Sequence, residues 1–289
     1  MRVCLMIEGQ EGVTWDQWRA LATTAEDAGF DALFRSDHYM PLDGGAGGSL
    51  DAWATITALA AITSTIRLGT LVSPATFRHP STLAREVVTA DHVSNGRVEL
   101  GLGAGWHEGE HAAFGFPYDT VKDRFDRLTE QMEIVHRSWT EGPFDFDGRF
   151  YRLQQADPQP KPVQDPHPPL IAGGGARPRG AALAARWADE YNTVYATLDE
   201  CKRRRERIAA ACAEAGREPI PFSLMTGFAI DGEPADHDPA WIVGGVDEMA
   251  EQLRALEDAG VERIMLQHLR HHDLEAVELI GRELIPAVS

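Results

Sequence analysis

The feature that most constrains the fold is the alternation of strand-like and helix-like segments along the whole chain. Short apolar runs predict strands at 3–7, 31–34, 66–73, 98–103, 170–172, 190–194, 222–230 and 263–267. Helices are predicted between Thr14 and Gly29 and at 50–63, 80–92, 123–139, 179–187, 198–215, 246–259 and 274–284. Eight consecutive βα units without a linker predict a closed (β/α)8 TIM barrel, a single domain over residues 1–289.

The alternation is interrupted once, at residues 141–169. The run 144–151 predicts a hairpin around Asp147-Gly148. Prolines then follow at Pro158, Pro160, Pro162, Pro166, Pro168 and Pro169. Because this stretch is too rich in proline for an independent domain, we interpret 141–169 as a surface loop inserted before the fifth strand.

The charge balance excludes several classes of partner. The chain is 43% hydrophobic and 25% charged, with a formal charge of −18, which disfavours nucleic acid and anionic membranes as partners. Cys4, Cys201 and Cys212 are scattered, so we expect no disulfide framework and a cytoplasmic location. We find no signal peptide and no apolar run near ~18 residues, and therefore expect no membrane span.

The fourth predicted strand ends in alternating glycines, Gly101, Gly103 and Gly105. Glycines at every second position cost chain entropy and offer no side chain to pack. Close packing of a helix on the strand is one explanation. We favour the other, in which a flat ligand lies directly against the backbone.

The segment RHPSTLAREVVTADHVSNGRVELGLGAGW, followed by Phe114-Gly115, resembles the bacterial luciferase-like superfamily of flavin and deazaflavin enzymes. More narrowly, it resembles the branch that uses the deazaflavin coenzyme F420. The resemblance covers nearly the full chain, through the segments 26–31, 36–38, 169–175, 188–189 and 258–261. It implies a TIM barrel with its site at the carboxyl ends of the strands, and we expect a homodimer that acts on a small molecule.

The second strand leads into Asp37 and His38, which precede the glycine-rich loop 44–48. A lone histidine is often structural, but this one follows an aspartate at the working end of a barrel strand. An imidazole with a usual pKa near ~6.5 can exchange the proton that accompanies hydride transfer. The resemblance implies that Asp37 contacts the deazaflavin head and that His38 stands near its reactive carbon and the substrate.

Further site residues follow from the third and fourth strands. The resemblance implies a backbone bulge with a non-prolyl cis peptide at Leu71–Val72, pressing against the cofactor ring, and places Gly103, Ala104 and Gly105 at the cofactor.

The residues after these glycines predict the substrate pocket. Trp106 stands where the sugar-phosphate dehydrogenases of the superfamily carry a glutamate, which suggests a more apolar substrate face. His107 and Glu110 could serve as the acid in its place, although we favour a solvated helix start for both.

The fifth strand leads into a predicted phosphate site made of Gly173, Gly174, Gly175, Ala176 and Arg177. Amides at a helix start bind anions, and Arg177 and Arg179 would add fixed charge. Both FMN and F420 carry a phosphate, so this element does not distinguish them. Arg78 together with the two arginines would suit a long anionic tail.

Metal binding is not expected. His268, His271, His272 and Asp273 have the composition of ligands, but no cysteine accompanies them and the adjacent histidines cannot share one helical face. His268 remains a possible pocket residue at the end of the eighth strand.

Three functions stay open at this point. We favour hydride transfer between F420 and a small organic substrate. The first alternative is an FMN-dependent monooxygenase, which we place second because such enzymes are commonly longer. The second alternative is a non-catalytic flavin-binding subunit, against which the Asp37-His38 pair argues.

Overall fold

Parallel strands close into a barrel in the computed structural model, which describes residues 1–42, 47–230 and 238–288. The strands are β1 (Arg2–Ile7), β2 (Ala32–Arg35), β3 (Arg67–Pro74), β4 (Val98–Gly103), β5 (Phe144–Asp147), β6 (Arg152–Ala156), β7 (Leu170–Gly173), β8 (Glu190–Val194), β9 (Phe222–Ile230), β10 (Ile242–Gly244) and β11 (Arg263–Gln267). Among these, β5 and β6 form a separate hairpin, and the short strand β10 pairs in parallel with the end of β9. The other eight form the barrel, which closes where β8 pairs with β9. The predicted (β/α)8 fold is confirmed.

Helices connect the strands on the outside. They are α1 (Trp15–Asp27), α2 (Ala52–Ala60), α3 (Pro80–Ser94), α4 (Glu108–Phe114), α5 (Val121–Thr140), α6 (Pro178–Trp187), α7 (Leu198–Glu214), α8 (Val246–Asp258), α9 (Leu274–Leu279) and α10 (Ile285–Val288). The short helix α4 was not predicted, and a π-helical turn, Ile280–Leu284, joins α9 to α10. The capping box at the start of α1 is present, because the Gln17 side chain accepts from the Thr14 amide at 2.9 Å.

The alternation of side chains along β1 separates two cores. Val3, Leu5 and Ile7 pack outward in the large core beneath the helices, while Cys4 and Met6 belong to the small core inside the barrel. This small core also contains Phe34, Leu71, Ile171, Met225 and Met265. Inward-facing positions therefore recur at every second residue of β1. The same alternation determines which residues just beyond a strand end face the interior of the barrel.

An ionic cluster closes the barrel below that small core. The Arg263 guanidinium, 1% exposed, lies 2.6 Å from Glu99 and 3.1 Å from Glu190. Burial by itself would raise the pKa of Glu99, but Arg263 and Arg67 outweigh it and hold that pKa at about 2. Arg263 is thus compensated inside the barrel, as a buried charge must be.

The insertion 141–169 lies on the outside of the barrel, as predicted, and contains the β5–β6 hairpin. Its proline-rich part is held by the buried Asp91 of α3, whose carboxylate accepts from the Val163 amide at 2.6 Å and from the Gln164 side chain at 2.7 Å. No helix within the described ranges has both the length and the apolar character needed to cross a bilayer.

The glycines Gly101 and Gly103 of β4 make room for residues of β3. A Cβ added to Gly101 would collide with the Thr70 carbonyl oxygen and lie 2.9 Å from Val72 Cγ1. One added to Gly103 would lie 2.6 Å from Val72 Cγ2. The prediction that a flat ligand lies directly on these two glycines was wrong, because the Val72 side chain occupies that space.

Gly101→Ala should therefore destabilise the fold by about 1–3 kcal/mol, the usual cost of overpacking. Urea unfolding of the variant and the parent measures the difference. Gly142→Ala is the matched control, because nothing lies within 4 Å of its added Cβ. Equal stability of the two variants would contradict the packing account.

Candidate active site

The predicted site residues gather at the carboxyl ends of four neighbouring strands. His38 follows β2, Val72 lies within β3, Trp106 follows β4, and Gly173 ends β7. These strands are consecutive in the barrel, in the order β2-β3-β4-β7. The residues therefore share one sector of the barrel mouth, where sites of this fold lie.

His38 is held by a buried carboxylate. Its Nδ1 lies 2.7 Å from Oε2 of Glu110, and the other oxygen of Glu110 accepts from the Tyr39 amide at 2.5 Å. The Glu110 side chain is 0% exposed and that of His38 is 12% exposed. Because Glu110 occupies Nδ1, the second ring nitrogen, Nε2, is left without a hydrogen bond to the described part of the chain.

The two groups shift each other's titration. Burial disfavours the charged form of His38, but the hydrogen bond and charge of Glu110, helped by Glu8 and Asp37, outweigh burial and raise the pKa of His38. Burial would raise the pKa of Glu110, but the His38 and Tyr39 hydrogen bonds and the charge of His107 lower it. The pair therefore favours an imidazolium beside a carboxylate.

The preferred interpretation of Glu110 as part of a solvated helix start was wrong. Glu110 does lie in the first turn of α4, but the helix turns it inward, while Glu108 on the same helix is exposed. Beyond that suggested start, no helix was delimited there, because α4 is only 7 residues long and its sequence is polar. The contact joins residues 72 positions apart, which no local pattern reveals.

Trp106 and His107 line the same side of the mouth. The Trp106 ring stands edge-on to His38 with 5.9 Å between centroids and is 59% exposed, and the His107 ring lies 6.4 Å from His38. His107 Nδ1 is buried without a hydrogen-bond partner in the described part of the chain and lies 3.9 Å from Glu110. The three predicted pocket residues are thus grouped around His38.

Asp37 is buried and is held in place by two donors. Its Oδ2 accepts from the Ser73 hydroxyl at 2.6 Å and from Arg78 at 2.5 Å. Arg78 also pairs with Asp51 at 2.6 Å and with Glu86 at 3.2 Å. The expectation that Arg78 serves an anionic tail was wrong, because three carboxylates of the chain already surround its guanidinium.

The β3 bulge lies where it was predicted. The Leu71–Val72 peptide bond is cis, and the register between β3 and β4 shifts between Thr70 and Ser73. A Cβ added to Gly173 would lie 3.4 Å from Val72 Cγ1, so the bulge reaches β7 as well as β4. Val72, half-buried, forms the floor of this sector.

The loop after β7 is less open than predicted. The Gly174 amide donates to the Asn192 carbonyl at 3.0 Å and the Ala176 amide donates to the Tyr191 hydroxyl at 2.8 Å, so neither amide is free for a phosphate. Arg179 pairs with Asp126 of α5. Gly175 and the exposed Arg177 remain from the predicted phosphate site.

Two other predictions concern the rim. His268 at the end of β11 is buried, and its Nε2 lies 2.9 Å from the Asp273 carbonyl, so it braces that loop. The glycine-rich loop 44–48 lies mostly outside the described residues, since 43–46 are not described.

Comparison with known proteins identifies the family. A model of the luciferase-like monooxygenase family matches residues 2–231, and the chain belongs to this family. The F420-dependent hydroxymycolic acid dehydrogenase of Mycobacterium tuberculosis is 30% identical over 259 residues, covering 86% of this chain and 71% of its own. The family predicted from the sequence is confirmed.

Two solved structures share the fold. An F420-dependent secondary alcohol dehydrogenase, in complex with an F420-acetone adduct, superimposes with a TM-score of 0.86 at 20% identity, over 100% of this chain and 99% of its own. The oxygenating constituent of 3,6-diketocamphane monooxygenase from Pseudomonas putida, in complex with FMN, gives 0.81 at 19% identity, over 100% and 99%. Because almost the whole of both chains superimposes, chain length does not by itself separate this protein from the FMN-containing structure.

Glu110→Gln should lower the pKa of His38, because the charge and hydrogen bond that offset burial are weakened. The measurement is an NMR titration of the His38 ring protons, assigned by their loss in His38→Asn. Glu108→Gln, an exposed change on the same helix, should leave the titration in place. A His38 pKa that is unchanged in Glu110→Gln would show that the contact does not govern its protonation.

Proposed function

We propose that this chain is an oxidoreductase that exchanges hydride between the deazaflavin coenzyme F420 and a small organic substrate, with His38 exchanging the accompanying proton. The observation that carries the proposal is the His38–Glu110 pair, buried at the barrel mouth beside the Val72 bulge. A histidine held by a buried carboxylate is the arrangement that orients a proton-exchanging imidazole.

The residues of the sector fit a flat cofactor bearing a phosphate. Leu71 and Val72 would support the ring, together with the backbone of Ala104 and Gly105, and Gly175 and Arg177 would border the phosphate end. The fit rests on the Val72 face, which is only half-buried although glycines surround it. When bound, the cofactor supplies the hydride chemistry.

Asp37 would contribute one carboxylate oxygen to the cofactor site. Both of its recorded hydrogen bonds fall on Oδ2, and within the described residues no donor lies on Oδ1. Oδ1 is therefore the atom available to the cofactor head, while Arg78 and Ser73 fix its position.

His38 acts through Nε2. Glu110 fixes the ring by accepting at Nδ1 and stabilises the imidazolium that forms when Nε2 takes a proton from the substrate, or that stands ready to give one. Trp106 covers one side of His38 and supplies an apolar surface for the substrate. His107, with its unpartnered Nδ1, borders the same space.

The alternative is an FMN-dependent monooxygenase, which is supported by the fold shared with the FMN-containing structure. The deazaflavin proposal is supported by the relative at 30% identity. A non-catalytic flavin-binding subunit would have no use for the buried His38–Glu110 pair. The homodimer remains a prediction.

Titration with F420 and with FMN, each followed by fluorescence, tests the cofactor assignment. We expect the deazaflavin to bind more tightly, and Arg177→Ala to weaken its binding by about 1.5–3 kcal/mol, the value of a hydrogen bond to a charged group. Binding of FMN without detectable binding of the deazaflavin would replace the proposal by the monooxygenase alternative.

Arg179→Ala is the matched control for the arginine experiment. Its guanidinium pairs with Asp126, so its removal should change cofactor affinity far less than removal of Arg177. The opposite order would place the phosphate on the α6 side of the loop.

His38→Ala should keep the fold and most cofactor affinity but lose about 10²–10⁴ in turnover, the usual contribution of general acid–base catalysis. His38→Asn should be almost as impaired, because it can form hydrogen bonds but cannot titrate. Unsaturated ketones and quinones form the first substrate panel.

The pH profile of the parent checks the same assignment. Because the pKa of His38 is raised, the limb should lie above the usual histidine range. Turnover should rise with pH through this limb when His38 accepts the proton and fall when it donates. Near-parental turnover in His38→Asn would make His38 a positioning residue.

A further inference from the structure

Glu8 lies just beyond β1 at the barrel mouth, and β2 separates β1 from the β3 bulge. It continues the inward-facing series of Cys4 and Met6, and β1 lies between β2, which carries His38, and β11. Glu8 is half-buried. Its carboxylate therefore faces the mouth from the strand next to the one that presents His38.

Two amide side chains fix this carboxylate. Gln267 donates to Oε1 at 2.5 Å and Gln10 donates to Oε2 at 2.9 Å, and both glutamines are buried. Each glutamine is itself oriented, because the Ser36 hydroxyl donates to the Gln10 side-chain oxygen at 2.5 Å and the Tyr195 hydroxyl donates to that of Gln267. The amide groups are thereby turned with their N–H donors toward Glu8.

No cation of the chain neutralises Glu8 within the described ranges. The two other buried carboxylates of the mouth have cationic partners, Arg78 for Asp37 and His38 for Glu110. The described ion pairs include none to Glu8, although its charge is felt at His38. A carboxylate offers about four lone-pair positions, so two amides leave it able to accept further hydrogen bonds.

We propose that Glu8 determines substrate specificity: it accepts a hydrogen bond from a hydroxyl or ammonium group beside the reacting carbon and excludes substrates with a carboxylate or phosphate there. This inference rests on the proposed function, since it assigns the substrate to the half of the mouth formed by β1, β11, β9 and β8. The Val72 sector is left to the cofactor. A fixed carboxylate without a cationic partner repels anionic substrates and attracts cationic ones, so Glu8 would select substrates by both effects.

The test uses the protein without cofactor and three probes that share one carbinol: 1-amino-2-propanol as the cation, propane-1,2-diol as the neutral form and lactate as the anion. Binding is followed through the NMR signals of the His38 ring. We expect the parent to prefer the cation over the anion by about tenfold or more, with the diol between them. In Glu8→Gln the preference for the cation over the anion should shrink to within about threefold, because the neutral side chain no longer attracts one and repels the other.

The His38 titration in the same samples gives a second readout. Glu8→Gln should lower the pKa of His38, because one of the charges supporting the imidazolium is removed. Glu11→Gln is the matched control, an exposed glutamate in the same connection, and should change neither readout. Glu8→Ala, which removes the charge together with both acceptors, should reproduce the loss of preference if Glu8→Gln folds poorly.

Equal binding of the three probes by the parent, or no binding of any of them, overturns the proposal, as does an unchanged preference in both Glu8 variants. Neither readout needs a cofactor. A failure of the F420 assignment would appear in the cofactor titrations, and a failure of the Glu8 assignment would appear here.

Discussion

The contact between Val72 and the glycines of β4 and β7 is the constraint on which the site depends. Because residues 101, 103 and 173 are glycines, the Val72 side chain of the β3 bulge can pack against β4 and β7. The bulge then occupies space that side chains fill at other levels of the barrel. Without those glycines the mouth would have no raised floor at this point, and a planar molecule would have no surface to rest on.

The barrel mouth divides into two halves because of this floor. One half, from β3 to β7, is rich in glycine and offers backbone and an apolar face. The other half carries Glu8, Gln267 and Tyr195 in one hydrogen-bonded chain. His38 follows β2 and lies at the boundary between the two halves, where the proposed hydride transfer would require a group that exchanges protons.

Much of the fold was predictable because it rests on local periodicity. The eight barrel strands and the insertion have signals within a few residues of sequence. The bulge at Leu71–Val72 was instead predicted from the resemblance to the family. The His38–Glu110 contact has no local sequence signal, because it joins residues 72 positions apart. Glu110 also lies in a helix of only 7 residues, which is too short to show a clear apolar periodicity. Arg78 was misassigned for a related reason, since sequence shows a charge but not the three carboxylates that neutralise it.

The ionic cluster at the closed end has a consequence for how such a barrel can change over evolutionary time. Arg263 and its carboxylates are separated from the mouth by the layer that contains Met6, Phe34 and Met265. The ion pairs that stabilise the closed barrel thus lie at one end of the axis, and the proposed active site lies at the other. Substitutions around the mouth can therefore adapt the site to a different substrate without changing the buried ion pairs of Arg263.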